Sequence, residues 1–370
     1  MENYIMHSKY GLVLLICIFF GCKQKDVVLI SKSFDHSLFN YQGRIEKVND
    51  SVTALISVGA SVSIGFSGNQ CEVYLKGEYK PYNYVSYELD GKYLGRFKIE
   101  SDSILPYKIN VPESNKTHVL KIYKESEVFN GVVFFSGIKA QKVLPANNNS
   151  NIYIEFIGNS ITCGAASDAA ESSCEIGEYF DHQNAYYAYG PRIARKLNVN
   201  FMLSSVSGIG IYRNWNDENI KEPIMPQVYE NLYLNTDSTK VFNFSRKPDL
   251  VSICLGTNDL SMGDGIKPRL PFNKEKYITN YISFIKTIYK HYPNTQIALL
   301  DSPMSDGETK DLLLSCLEEI KSHFDDREKP IQLFQFSKIY NNGCSTHPSV
   351  EEHAQMAQEL LPFFKNLLNS

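Results

Sequence analysis

The chain has 370 residues, 43% of them hydrophobic and 21% charged, with 37 Lys and Arg against 41 Asp and Glu for a net charge of −4. Such a balance describes a water-soluble chain of about two domains, each able to bury a core. With no basic block, the composition excludes an electrostatic footprint for nucleic acid or for an anionic membrane surface.

The first residues read as a targeting segment. Lys9 precedes the apolar run Gly11–Phe20, and Gly21-Cys22-Lys23 follows. The run is too short for a stable membrane anchor. It has the charged-then-apolar plan of a signal peptide over residues 1–22. A small residue before a cysteine resembles the bacterial lipoprotein cleavage box, which would make Cys22 the lipidated first residue of an exported cell-envelope protein, periplasmic or on the outer-membrane surface. The alternative is an uncleaved anchor. Of the other cysteines, Cys163 and Cys174 flank a polar loop and are the candidate disulfide, which export permits. Cys254 lies in an apolar strand and reads as a buried thiol. No C-x-x-C pair occurs, so no zinc site is expected.

After a lead-in to about residue 40, the pattern is β throughout to about residue 143. Segments 51–57, 61–66, 71–76, 118–124 and 131–138 alternate or run apolar over strand lengths. The strongest local signal is Asp90-Gly91 between two alternating runs, which calls for a type I′ hairpin. Strands at this spacing predict an all-β sandwich or jelly roll.

Ala146–Asn151 is a polar break, and from 151 to 370 the pattern becomes α/β. Strands are expected near 152–157, 199–205, 249–255, 296–301 and 331–336. Helical spacing covers 273–292, 312–324 and 350–367. Repeated strand and helix imply a five-stranded parallel sheet covered on both faces.

The chemistry collects where those strands end. Ile154–Ile157 stops at Gly158, and Ser160 follows: either a nucleophile at a strand end or a helix cap. Gly208 lies in the loop after the second strand, Asn258 after the third, and His347 before the last helix. A hydrolytic site needs a nucleophile, a base and donors for an oxyanion. Ser160 and His347 fit the first two roles. The N–H groups of Ser160 and Gly208 and the Asn258 amide fit the third. Neither metal nor cofactor is required.

In this order the four blocks resemble the SGNH hydrolase superfamily. Residues 154–164, Gly208–Trp215 with Met225-Pro226 beyond, and His347–His353 are similar to carbohydrate esterase family 2. The resemblance spans about residues 40–368. It implies an N-terminal β-sandwich joined to an SGNH-type domain, and an exported enzyme removing O-acetyl groups from plant polysaccharides or sugars. It also implies a Ser160–His347 dyad and a sugar-clamping role for Trp215, for which core packing is the alternative. Other readings are an SGNH lipase or thioesterase, and a carbohydrate-binding lipoprotein with a dead site.

Two departures stand out. Asn159 replaces the Asp that precedes the superfamily's serine. Cys344 stands where the superfamily places an Asp three residues before the histidine. The resemblance therefore implies that a backbone carbonyl, rather than a carboxylate, orients His347. Asp301, Asp325 and Glu328 are the remaining carboxylate candidates.

Overall fold

The computed structural model describes residues 30–31, 36–78, 81–112, 116–146 and 150–369. The expected leader and Cys22 lie outside them.

In the first half of the chain, ten antiparallel strands fold in two layers around one core. Ser61–Gly77 organises them. The sequence reading splits this segment in two, but the structure runs it through as one strand of 17 residues, with Gly68 at φ +107°. Its first half pairs with Phe39–Gln42 and Thr117–Lys124, its second with Leu105–Ile109, and Val133–Leu144 pairs along most of its length. One strand thus serves both layers, which is how packed sheets turn corners. Its inward residues Val62, Ile64, Phe66, Val73 and Leu75 meet Val85, Leu120, Ile122 and Phe135 in the core. The Asp90-Gly91 turn has positive φ at both positions, 53° and 78°, as a type I′ hairpin requires. Four strands escape the sequence reading: Ile30–Ser31, Phe39–Gln42, Ile45–Asn49 and Leu105–Ile109. They are short, and their Asn, Gln, Lys and Pro blur the alternation.

The second half carries a parallel sheet in the order Asn200–Ser205, Tyr153–Gly158, Leu250–Cys254, Gln296–Leu300, Gln332–Phe334. Successive strand residues face opposite ways. Ile154, Phe156, Leu250 and Ala298 pack with helices Tyr189–Leu197 and Val350–Asn369. Ile157, Val251, Ile253 and Leu299 pack with Lys274–His291 and Gly307–Ser322. Asn273 caps the third of these helices by accepting from Lys276 N–H. Helix Tyr189–Leu197 is not anticipated, because its nine residues include a Gly and a Pro. The strand order reverses beside Tyr153–Gly158. In open α/β sheets the crevice past the strands' carboxyl ends at such a point is where ligands bind.

The two halves meet through buried polar groups. Arg44, fully buried, donates to the carbonyls of Tyr229 (2.9 Å) and Asn231 (2.8 Å) and to Ser204 Oγ (3.2 Å). Its charge faces Glu155 in the sheet, which accepts from Ser204 Oγ (2.6 Å) and Tyr229 Oη (3.0 Å). Burial lowers the arginine pKa and raises that of Glu155, and the opposite charge works against both shifts.

Candidate active site

Tyr153–Gly158 is buried at every position and ends where Gly158 allows a sharp turn. A Cβ on Gly158 would stand 2.0 Å from Thr162 Oγ1, so only glycine fits. Asn159 Oδ1 accepts from Ile161 N–H (3.1 Å) and caps the short helix Ser160–Cys163. The cap is thus Asn159, and Ser160 is the first residue of the turn with its hydroxyl free for other work.

Ser160 Oγ lies 2.9 Å from His347 Nε2. His347 Nδ1 lies 3.0 Å from the Ser345 carbonyl oxygen, to which it donates in the tautomer that leaves Nε2 as an acceptor. Asp301 instead accepts from Phe336 N–H (2.9 Å) and pairs with Lys310 (3.3 Å). None of Asp301, Asp325 and Glu328 is hydrogen-bonded to His347. Burial lowers the His347 pKa below its ordinary value, against the opposing effect of hydrogen bonds to the backbone of Ser345 and Cys344. Burial thus biases the imidazole toward the neutral form, which can accept a proton.

The histidine loop is held from several sides. Ser345 and Thr346 both have left-handed φ, 51° and 59°. Cys344 N–H donates to the Ala166 carbonyl (2.8 Å) and Gly343 N–H to that of His347 (2.6 Å). Cys344 is disulfide-bonded to Cys174, 170 residues away. This corrects the expected Cys163–Cys174 bridge. Cys163 ends the turn after Ser160, fully buried as a free thiol that donates to Ser205 Oγ (3.2 Å). It faces the sheet, whereas Cys174 sits on the loop beside the histidine.

Gly208 has φ +77°, a conformation glycine adopts freely. Neither its N–H nor that of Ser160 has an acceptor among the described residues. Asn258 gives one amide hydrogen to the Ile209 carbonyl (2.8 Å), so the loop after the third strand is tied to the loop bearing Gly208. Its neighbour Asp259, wholly buried, accepts from the N–H groups of Ile211 (3.0 Å) and Tyr212 (2.8 Å). Burial pushes that carboxyl up to about 6. It is a scaffold for the loop rather than a reacting group. Trp215 N–H donates to the Gly208 carbonyl (2.8 Å) while the side chain is 46% exposed, so core packing does not describe it. Among the described residues no group of His, Cys, Asp or Glu is placed to hold a metal ion.

Sequence reasoning misses two residues at this site. Tyr179 Oη stands 3.4 Å from His347 Nε2, and its ring meets the imidazole edge-on at 5.9 Å. It lies in an aperiodic loop with no motif around it. Glu127 comes from the β-sandwich and accepts from both the N–H (2.6 Å) and the hydroxyl of Ser207. In sequence, Glu125-Ser126-Glu127 lies between two strand-like runs and carries no motif.

Both halves of the chain are similar to known proteins. Residues 41–146 match the family model described as Carbohydrate esterase 2 N-terminal. Residues 156–326 match the GDSL-like Lipase/Acylhydrolase family, a match that ends before His347. The chain is 26% identical over 257 residues to an acetylxylan esterase / glucomannan deacetylase of Cellvibrio japonicus, covering 68% of each chain. It is 28% identical over 338 residues to the cellulase/esterase CelE of Acetivibrio thermocellus, covering 89% of this chain and 39% of that one. Among solved structures, a family two carbohydrate esterase from Clostridium thermocellum in complex with cellohexaose superposes with a TM-score of 0.79 at 27% identity, over 90% of this chain and 99% of that one.

Proposed function

Since the chain belongs to carbohydrate esterase family 2, we propose that it hydrolyses O-acetyl esters on plant polysaccharides or oligosaccharides through a Ser160–His347 dyad. The observation that carries this reading is the relay from Ser160 Oγ to His347 Nε2 (2.9 Å), with Nδ1 held by the Ser345 carbonyl. His347 takes the Ser160 proton as the hydroxyl oxygen attacks the acetyl carbonyl. The oxyanion that forms is bound by the N–H groups of Ser160 and Gly208 and by the second Asn258 amide hydrogen. As the tetrahedral intermediate collapses, the imidazolium returns its proton to the sugar oxygen, leaving acetyl-Ser160. Water then attacks with His347 again as base, releasing acetate and restoring the serine. A carbonyl orients the imidazole as a carboxylate would, though it stabilises the imidazolium less.

Acetate release from acetylated xylan, glucomannan and pectin tests the reading and selects among substrates. A rate that falls steeply from acetyl to longer acyl esters separates this activity from a lipase or thioesterase. Trp215, exposed beside Gly208, is assigned the sugar-facing platform, since aromatic faces stack on sugar rings. Trp215→Ala is then expected to slow a carbohydrate ester far more than a small aryl acetate. Equal losses on both would remove it from substrate binding.

Export follows from the charged-then-apolar leader, and lipidation from Gly21-Cys22. The Cys174–Cys344 disulfide supports an oxidising compartment. No helix of the described residues is long and apolar enough to cross a membrane. Incorporation of labelled fatty acid, lost in Cys22→Ala, tests the anchor.

A further inference from the structure

The turn Lys124–Asn130 belongs to the β-sandwich, yet two of its carboxylates bind loops of the hydrolase half. Glu125 accepts from the N–H groups of Ala185 and Tyr186. Glu127, fully buried, reaches the loop that carries Gly208. One of its carboxylate oxygens takes Ser207 N–H (2.6 Å) and the other takes Ser207 Oγ–H. Ser207 is the residue immediately before Gly208. The Glu127 charge lies near Lys124, itself fully buried, whose ammonium donates to the carbonyls of Ser126 and Glu127 (3.1 Å).

We infer that Glu127 is a positioning residue for oxyanion binding, so that the β-sandwich completes the active site rather than serving only as an attached module. This rests on the proposed esterase mechanism. Two acceptors on one rigid carboxylate fix Ser207 at both its backbone and its side chain. That leaves the next peptide N–H, at Gly208, one orientation instead of several. Gly208 needs such an external hold, because a glycine at φ +77° resists rotation of its own backbone less than any other residue. The contribution is made without touching substrate, and should therefore appear in the chemical step. Displacing a catalytic group by about 1 Å can cost about 10² in rate.

The test compares Glu127→Ala and Glu127→Gln with the wild type on an aryl acetate, where sugar contacts play no part. Glu127→Ala is expected to lower kcat about 10²-fold with KM within about threefold. Glu127→Gln keeps one acceptor for Ser207 N–H and should recover most of that loss. A Glu127→Ala enzyme with kcat within twofold of wild type, or a loss residing in KM, would overturn the proposal, as would a Gln variant no better than the Ala variant. Leaving Lys124 buried without its partner can unfold the Ala variant. In that case Ser207→Ala, which keeps the Glu127 charge beside Lys124, decides: it removes the hydroxyl bond and should lower kcat several-fold at constant KM, and no change refutes the role. If the wild type itself releases no acetate, the esterase reading fails instead, so the two failures are distinct.

Discussion

The two members of the proposed dyad are held in opposite ways. Ser160 follows a strand buried at all six positions, in a turn set by its own neighbours Gly158, Asn159 and Thr162. His347 follows two left-handed residues in an irregular loop, fixed by a carbonyl two residues back and by the disulfide from Cys344 to Cys174, 170 residues earlier. Ser160, the proposed nucleophile, is local and rides on the sheet; His347, the proposed base, is held by distant parts of the chain. Damage near the serine should therefore strike chemistry alone, whereas damage near the histidine should strike chemistry and stability together.

The largest expected effect is on the local side. Ser160→Ala should abolish acetate release, a loss on the order of 10⁶ in kcat where a serine nucleophile is removed, with an unchanged melting temperature. Near-native turnover in this variant would end the dyad mechanism. Asn258→Ala comes next, at about 10²–10³ in kcat for one oxyanion donor. Because the same amide ties the Gly208 loop through Ile209, the variant reports donor and scaffold at once.

On the distant side, Cys344→Ser should lower kcat about tenfold, the scale of a modest shift of the base. It should also remove about 3–5 kcal/mol of unfolding free energy, since the bridge closes a long loop. A melting temperature that does not move would place the disulfide outside the folding balance. The smallest effect belongs to the excluded carboxylates. Asp325→Asn and Glu328→Gln should leave kcat within about twofold, and Asp301→Asn within about tenfold, against about 10⁴ for losing a triad carboxylate. The pH profile sharpens the same point. His347 works as a base only when neutral, so activity is lost as pH falls through its pKa. Burial lowers that pKa, and the acid limb of kcat/KM should fall below about 6.5, the ordinary histidine value. A limb shifted above it would reveal a carboxylate partner.

This asymmetry also explains what the sequence could disclose. The parallel strands were legible because burial on both faces leaves continuous apolar runs, and the hairpin because Asp90-Gly91 demands positive φ. Ser160, Gly208 and Asn258 stood out as candidates because each follows such a run, and His347 because it precedes the last helix, with the four-block resemblance joining them. The Cys174–Cys344 pairing was not, since proximity in sequence favoured Cys163, and nothing local says that Cys163 faces Ser205. Glu127 and Tyr179 are equally silent in sequence. Their importance comes from one half of the chain meeting the other, and no periodicity records that.

Arg44 and Glu155 carry a consequence for how the molecule comes apart. The carboxylate sits in the first strand of the parallel sheet, and the guanidinium facing it comes from the β-sandwich. Cleave the chain near residue 150, and the hydrolase half keeps a buried anion with no counter-cation, a change costing several kcal/mol when one partner of a buried pair is lost. The two halves are therefore one thermodynamic unit. Heat or denaturant should melt them in a single cooperative transition, and the hydrolase half expressed alone should be insoluble or unfolded, even though its sheet looks complete.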